Sequence, residues 1–238
     1  MAQLRSDYSE HLASLRSAIV RIGTIADHML DEAISVITRR NADLTVDVLR
    51  HDDEADAIDA DVEREAVLLI ALQQPVAFDL RSITTALKVV NEIERIGDYA
   101  VDIAKIGRRI LRRGKCRHLV DIARLANCVR EMLRDVLQGF VSGDTELLRR
   151  VIAADDTADE LYHQYRDYLI ETMERQSDTV YEGAYLLLAC KYLERVGDHV
   201  VNVAEDAYYM HTGEFLVSEK KRKWQTETAP SNETQAKE

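Results

Sequence analysis

Hydrophobic and polar residues alternate along the chain with the period of long amphipathic helices. Near the start of the chain, apolar residues are separated alternately by three and four positions, the heptad pattern of a helix packed along its whole length. These residues are Tyr8, Leu12, Leu15, Ile19, Ile22, Ala26, Met29, Ala33 and Val36. Later segments show the same helical period and no strand pattern. The sequence therefore predicts an all-α protein.

Turn-forming residues divide this pattern into six helices, most of them near 30 residues and so about 45 Å long. The predicted breaks fall at residues 41–43, where Asp43 could cap the second helix, at Pro75, and at residues 177–179. Gly114, Gly143 and Gly213 are expected to end three helices, and Asp144 to cap another; the fourth helix is expected over about 117–141. Beyond about residue 218 the chain is polar, which predicts a disordered tail.

Two segments occur twice, in the same order. Ile-Glu-Arg-Ile-Gly-Asp at 93–98 matches Leu-Glu-Arg-Val-Gly-Asp at 193–198, and Asp-Asp-Glu-Ala-Asp at 52–56 matches Asp-Asp-Thr-Ala-Asp at 155–159. The offsets are nearly equal, which indicates a duplicated three-helix unit. We therefore predict two tandem, pseudo-symmetric three-helix bundles of antiparallel helices, with residues 1–114 in the first, 115–217 in the second and 218–238 in the tail.

Composition and charge narrow the function. The 238 residues include only nine Gly and two Pro, too few for an all-β fold, and a net charge of −12 disfavours binding to nucleic acid or anionic lipid. The three cysteines form no metal-binding or disulfide pattern. We see no apolar run long enough to span a membrane and no signal-peptide pattern, so we expect a cytoplasmic protein.

The repeated segments contain the candidate site. Glu94 and Asp98, like Glu194 and Asp198, place two carboxylates one helical turn apart. The same spacing occurs in two further pairs: Asp27 with Asp31, which also has the same heptad phase, and Glu131 with Asp135. Two such pairs on adjacent helices would gather four carboxylates. Oxygen-only clusters favour hard cations such as Mg²⁺, Mn²⁺, Ca²⁺ or ferric iron over copper or thiophilic zinc.

A solvated helix face is the competing interpretation of these acids, and the acidic run over residues 52–65 is interpreted in that way. Gly97 and Gly197 argue against it for the repeated pairs, because Gly costs about 1 kcal/mol in a helix interior. Close approach of a neighbouring helix or of a ligand would explain both glycines. Motifs for nucleotide binding are absent, and Glu160-x-x-His163 is the one Glu-x-x-His sequence, whereas di-iron oxidases use two.

The motifs resemble those of the PhoU family over about residues 4–216. The sequence Gln-Pro-Val-Ala-Phe-Asp-Leu-Arg at 74–81, followed by Glu-Arg-Ile-Gly-Asp at 94–98, is similar to that family's signature, and residues 193–198 with Asn202 are similar to its second copy. The resemblance implies a cytoplasmic, non-enzymatic regulator built from two three-helix bundles. Such a regulator links the ATPase subunit of a phosphate ABC transporter to a phosphate-sensing histidine kinase, and represses the phosphate-starvation response. A homodimer is also expected.

The resemblance also implies a metal ion, divalent or ferric (Mg, Mn, Fe or Zn). The ligands implied are Glu94, Asp98, Asp27 and Asp31 in one half, and Glu194, Asp198, Glu131 and Asp135 in the other. Supporting roles are implied for Asp102, Asn202, Asp79, Arg81, Arg95 and Arg195. Asn202 replaces Asp102 in the second copy, and no Asp-Leu-Arg occurs near residues 178–185, so the two sites would differ in strength.

Two other functions are compatible with the residues. The first is a carboxylate-bridged metal-binding, metal-storage or metalloenzyme bundle with no role in phosphate signalling. The second is a helical scaffold whose acidic face is incidental. Metal analysis would separate the second from the others, and oxidation of ferrous iron with sustained turnover would favour the first.

Overall fold

The computed structural model of this chain contains six long α-helices. It describes residues 2–114, 117 and 119–216, with side chains described from residue 8 onward. The helices are α1 (Ala2–Thr38), α2 (Leu44–Gln73), α3 (Ala77–Arg112), α4 (Ile122–Ser142), α5 (Thr145–Arg175) and α6 (Val180–Thr212), and a single 3₁₀ turn, Ser177–Thr179, precedes α6. No strand occurs within these described residues, and the all-α prediction is confirmed.

Most helices end where the turn residues predicted. Gly114, Gly143 and Gly213 adopt φ values of 71°, 72° and 78°, the left-handed conformation that favours glycine after a helix. The Asp144 carboxylate caps α5 by accepting hydrogen bonds from the N–H groups of residues 146 and 147, as predicted. The prediction for Asp43 is wrong: its side chain makes no cap, and its own N–H donates to the side chain of residue 41.

The start of α4 also differs from the prediction. The helix begins at Ile122 rather than near residue 117, and Asp121 caps it by accepting a hydrogen bond from the N–H of Arg124. The predicted tail from residue 218, and residue 115 at the predicted boundary between bundles, lie outside the described residues. Among the helices that are described, none has an apolar stretch long enough to cross a membrane.

Each group of three consecutive helices packs into a bundle, and the bundles pack against each other through α3 with α6 and α1 with α4. Helices α3 and α6 bury equivalent apolar stripes. The 100-residue offset seen in the sequence motifs therefore also holds for the core residues of these two helices. Burying each Ile, Leu or Val side chain of these stripes contributes about 1.5–3 kcal/mol. The equivalent residues are Ile93, Ile96, Ala100 and Ile103 on α3, and Leu193, Val196, Val200 and Val203 on α6.

A network of ion pairs joins α1 to α4 between the two bundles. Arg130 donates from Nε and Nη2 to the two carboxylate oxygens of Asp27, at 2.8 and 3.2 Å, and from Nη1 to Asp31 at 2.5 Å. Arg134 adds a bond to Asp27 at 2.9 Å. The side chains of Arg130 and Asp27 are only 13% and 18% exposed, so each charge depends on the other for compensation.

This network predicts that Arg130→Met destabilises the protein. The substitution leaves the Asp27 carboxylate shielded from water without its main counter-charge, and we expect a loss of about 2–3 kcal/mol in the free energy of unfolding, measured by urea denaturation. Arg134→Met is the control, because Arg134 is exposed and its pair contributes under about 1 kcal/mol. Adding Asp27→Leu to Arg130→Met should recover most of the loss. An equal loss in the double variant would contradict the prediction.

Candidate functional site

Two equivalent polar faces, one on α3 and one on α6, form the candidate site. Glu94 and Asp98 lie one turn apart on α3, and Glu194 and Asp198 occupy the same positions on α6. Residues 93, 96 and 97, and likewise 193, 196 and 197, are buried. The four acids therefore lie at the edges of the packed core, where carboxylates are only partly solvated.

The preceding helix of each bundle places an aspartate against the buried glycine of this face. A Cβ atom on Gly197 would lie 2.9 Å from Oδ1 of Asp155, and one on Gly97 would lie 3.9 Å from Oδ1 of Asp52. Close approach therefore accounts for Gly197, whereas an added methyl group at Gly97 would make ordinary contacts, with the nearest atom at 3.4 Å on Met29. Asp52 and Asp155 are the first residues of the repeated acidic segment.

We define the first acid cluster as Glu94 and Asp98 on α3 with Asp52, Asp56 and Asp59 on α2. Burial raises the pKa of Asp52 to about 6, with further contributions from the charges of Asp56 and Asp98, and Lys105 offsets only part of this. Burial also raises the pKa values of Glu94 and Asp59, and neighbouring carboxylates add to both shifts. Arg95 lies 2.9 Å from Asp98 and 3.5 Å from Glu94, so the cluster has an excess of negative charge that Arg95 and Lys105 offset only in part.

The second acid cluster, Glu194 and Asp198 on α6 with Asp155 on α5, has a different charge balance. Asp155 is buried, and Glu194 accepts a hydrogen bond from Lys191 at 2.6 Å. The same ammonium group lies 5.2 Å from the centre of the ring of Tyr162, which occupies the position equivalent to Asp59. Relative to the first acid cluster, Tyr162 replaces one acid, and Glu194 is paired with a lysine. The two clusters therefore lie on equivalent helices but differ in net charge.

The carboxylates of the first acid cluster are spread along the two helices rather than gathered at a point. Within the residues that the structure describes, no three of them bring oxygens to within 4.8 Å of one another. Mutual repulsion explains this spread, and it adds to the effect of burial in raising the pKa of Asp52. The cluster can offer oxygen ligands to a hard cation, which would draw the side chains together.

The structure corrects the predicted grouping of Asp27 and Asp31 with Glu94 and Asp98. Both aspartates of α1 accept hydrogen bonds from Arg130 across the interface with α4. The shared heptad phase was misleading because α1 presents this face to the second bundle, whereas α2 supplies the acids that face Glu94 and Asp98. The signal that could have identified Asp52 was the repeated acidic segment, which we interpreted as a solvated face.

The other predicted ligands and one supporting pair lie apart from this arrangement. Glu131 and Asp135 are exposed on α4. Their predicted role as metal ligands together with Glu194 and Asp198 stays a prediction. Burial raises the pKa of the Cys128 thiol, and the charge of Glu131 raises it further. Asp102 lies 3.7 Å from Lys105, whereas its counterpart Asn202 donates a hydrogen bond across the bundle interface to Glu92 at 2.9 Å.

The supporting arginines have structural contacts. Arg95 donates a hydrogen bond to Asp98 at 2.9 Å, and Arg195 lies 3.6 Å from Asp198. In the Asp-Leu-Arg segment, the Nε of Arg81 donates to the carbonyl of Met210 near the end of α6, at 3.3 Å. Asp79 lies beside Tyr8, whose pKa is raised by burial and by that charge. This segment therefore ties the start of α3 to α1 and to α6.

Comparison with known proteins identifies chains that are similar over most of their length. The sequence model of the PhoU domain matches twice, at residues 19–107 and 122–207. A phosphate-specific transport system accessory protein PhoU homolog from Clostridium acetobutylicum is 33% identical over 212 residues, which cover 88% of this chain and 96% of that relative. A PhoU homolog of the same name from Caulobacter vibrioides is 35% identical over 214 residues, which cover 90% of this chain and 93% of that relative.

Solved structures show the same fold. PhoU from Pseudomonas aeruginosa matches with a TM-score of 0.83 and 27% sequence identity, covering 87% of this chain and all of that one (100%). The phosphate transport system regulatory protein PhoU from Streptococcus pneumoniae has a TM-score of 0.81 at 20% identity, covering 88% and 99%. The second likeness concerns the fold alone.

The raised pKa of Asp52 predicts a specific dependence of stability on pH. Its pKa is 3.8 in an ordinary environment and about 6 in the folded protein, so folding favours the protonated form. The resulting stability is fully present below about pH 4 and is lost as the pH rises through 6. In chelator-treated protein, Asp52→Asn should therefore raise the Tm by about 2–4 °C at pH 8, for a partly solvated group worth about 1 kcal/mol.

Near pH 4 the same substitution should change the Tm much less, because Asp52 is then almost fully protonated in the folded state and partly protonated in the unfolded state. Asp53→Asn is the matched control, since it removes the same charge from an exposed neighbouring position and should have a smaller effect at pH 8. An equal gain for Asp52→Asn at pH 4 and pH 8, measured by circular dichroism melting, would show that Asp52 is not under this electrostatic strain.

Proposed function

The chain belongs to the PhoU family, and we propose that it is a non-enzymatic accessory regulator of phosphate transport. In this proposal it represses the phosphate-starvation response when phosphate is plentiful, by binding the ATPase subunit of a phosphate ABC transporter and a sensor histidine kinase. The support is that both halves match the family domain and both retain the Glu-Arg-x-Gly-Asp face at the edge of the core. The proposal includes a cytoplasmic location and a homodimer, which cell fractionation and sedimentation would test.

We also propose that the first acid cluster binds a divalent or ferric cation. Its donor set consists of carboxylates alone, which suits Mg²⁺, Mn²⁺ or Fe³⁺ better than softer metals. The raised pKa of Asp52 supports this, because the charges of Asp56 and Asp98 add to the effect of burial and a cation would compensate them. Glu94, Asp98, Asp52 and Asp56 would hold the ion, in place of the set with Asp27 and Asp31 that the sequence predicted. The second acid cluster should bind more weakly, because Tyr162 replaces one of the carboxylates and Lys191 pairs with Glu194.

Deleting the gene should raise the expression of phosphate-scavenging genes in phosphate-rich medium. A reporter fused to one such promoter would measure this, and a plasmid copy of the wild-type gene should restore repression. Affinity purification of the tagged protein from phosphate-replete cells should also recover the transporter ATPase. Unchanged reporter activity at all phosphate concentrations, with no ATPase recovered, would contradict the proposed regulation.

Adding Mg²⁺ or Mn²⁺ at constant ionic strength should raise the Tm of chelator-treated protein. A hundredfold excess over the dissociation constant contributes about 2.7 kcal/mol. Glu94→Gln combined with Asp98→Asn should remove much of this rise. The control combines Glu171→Gln with Glu174→Gln, which removes two exposed charges on α5 and should leave the metal response intact.

If the Glu94 and Asp98 variant shifts with the cation as much as the wild type does, the first acid cluster is not the binding site. Stripped protein can also be mixed with ferrous iron and oxygen. Sustained turnover in that assay would favour a metalloenzyme or an iron store over the regulator.

A further inference from the structure

A second, chemically different group of ligands lies between α1 and α2. His28 and Glu32 are four residues apart on α1, and His51 on α2 faces them. Nδ1 of His51 lies 2.9 Å from Oε2 of Glu32, and Nδ1 of His28 lies 3.8 Å from Oε1 of the same carboxylate. The three ligand atoms all lie within 4.8 Å of one another. In the part of the chain that the structure describes, this is the one group of three or more such side chains that meets this distance.

The backbone positions of these three residues are set by core packing. Met29 and Ala33, beside the two α1 ligands, are fully buried, and so is Val48, one turn before His51 on α2. The two imidazole rings are 5.8 Å apart and inclined at 72°, so both can direct a nitrogen toward Glu32. Because the donor atoms already lie within 4.8 Å of one another, side-chain rotations can bring them closer together.

Burial differs among the three ligands in a way that leaves one side open to solvent. The side chains of Glu32 and His51 are 15% and 22% exposed, whereas that of His28 is 69% exposed. An ion held here would be bound on its protein side by Glu32 and His51, and it would have an outer coordination position accessible to water. Three protein ligands with one open position form the arrangement found in catalytic, rather than closed structural, zinc sites.

The donor types distinguish this group from the first acid cluster. Two imidazole nitrogens and one carboxylate oxygen suit Zn²⁺ and other late first-row divalent ions, whereas Mg²⁺ and Ca²⁺ prefer oxygen ligands alone. Around a tetrahedral Zn²⁺ with bonds near 2.0–2.1 Å, donor atoms are separated by about 3.3 Å. The distances from Glu32 to Nδ1 of His51 and to Nδ1 of His28, 2.9 and 3.8 Å, bracket that value.

The internal repeat provides a comparison within the same chain. Gly97 contacts Met29 and Gly197 contacts Val129, which aligns α1 with α4 at an offset of 100 residues. At that offset the counterparts of His28 and Glu32 are Cys128 and Met132, and the 103-residue offset of α2 and α5 places Ala154 opposite His51. The second half therefore lacks this donor set, so the group is not part of the duplicated acid clusters.

We propose that His28, Glu32 and His51 form a mononuclear Zn²⁺ site that links α1 to α2. The ion replaces the hydrogen bond between His51 and Glu32 with metal–ligand bonds, and the proton on Nδ1 of the neutral His51 ring moves to Nε2 so that Nδ1 can bind the ion. Because both helices of the pair are held by one ion, Zn²⁺ stabilises the first bundle. This site is independent of the proposed regulatory function and of the first acid cluster.

The test uses the full chain, stripped with a chelator and titrated with ZnCl₂ alone. Calorimetry should show one high-affinity equivalent, and a hundredfold excess of Zn²⁺ should raise the Tm by several degrees. Co²⁺ in place of Zn²⁺ should give the visible absorption bands of a four-coordinate nitrogen and oxygen site. His28→Gln is the main variant, because His28 is exposed and its replacement should leave the fold intact. We expect it to weaken Zn²⁺ affinity at least as much as the roughly 10- to 100-fold loss typical of a second-shell partner.

Two matched variants make the result decisive. His163→Gln removes an exposed histidine of α5 and should bind Zn²⁺ as the wild type does, as should the variant with Glu94→Gln and Asp98→Asn. The proposal is overturned if His28→Gln binds Zn²⁺ with unchanged affinity, or if changing Glu94 and Asp98 abolishes the high-affinity equivalent. Binding only at millimolar Zn²⁺ would also overturn it, since three preformed ligands should bind far more tightly.

Discussion

Burial of α3 and α6 on nearly every side is the constraint on which the rest of the structure depends. α3 packs against α1, α2 and α6, and α6 packs against α4, α5 and α3. A helix enclosed in this way can leave only a narrow polar strip. In both helices that strip contains the Glu-Arg-x-Gly-Asp segment, with its glycine turned into the core. Core packing therefore decides where the acids lie and how poorly water can solvate them.

Duplication preserved this framework while the charges diverged. The first acid cluster keeps an excess of negative charge that adds to the effect of burial on the pKa of Asp52, whereas in the second cluster Tyr162 replaces one acid and Glu194 is paired with Lys191. The interface between the bundles diverged as well. Asn202 donates a hydrogen bond across it to Glu92. Arg130 of α4 donates hydrogen bonds to Asp27 and Asp31 of α1. A pseudo-symmetric fold thus presents two unlike polar surfaces.

Helix α2 presents two kinds of potential ligand, a carboxylate and an imidazole, on two different sides. Asp52 faces α3 and its acids, whereas the preceding residue, His51, faces α1 and Glu32. Neighbouring residues on a helix point in directions about 100° apart, so this separation follows from helical geometry. The oxygen donors and the imidazole donors thereby remain apart, although they are adjacent in the sequence. Ions bound at both places would fix α2 to α1 and to α3.

The sequence by itself determined the six helices, most of their ends, the duplication and the family, because periodicity and turn chemistry are local properties. It did not determine which helix faces meet. Asp27 and Glu94 share a heptad phase, yet Asp27 binds Arg130 of the other bundle, and Asp52 is the residue that lies against Gly97. Helical period fixes which residues share one face of their own helix. The helix that covers that face is decided by the packing of all six helices at once, and only the tertiary structure contains that information.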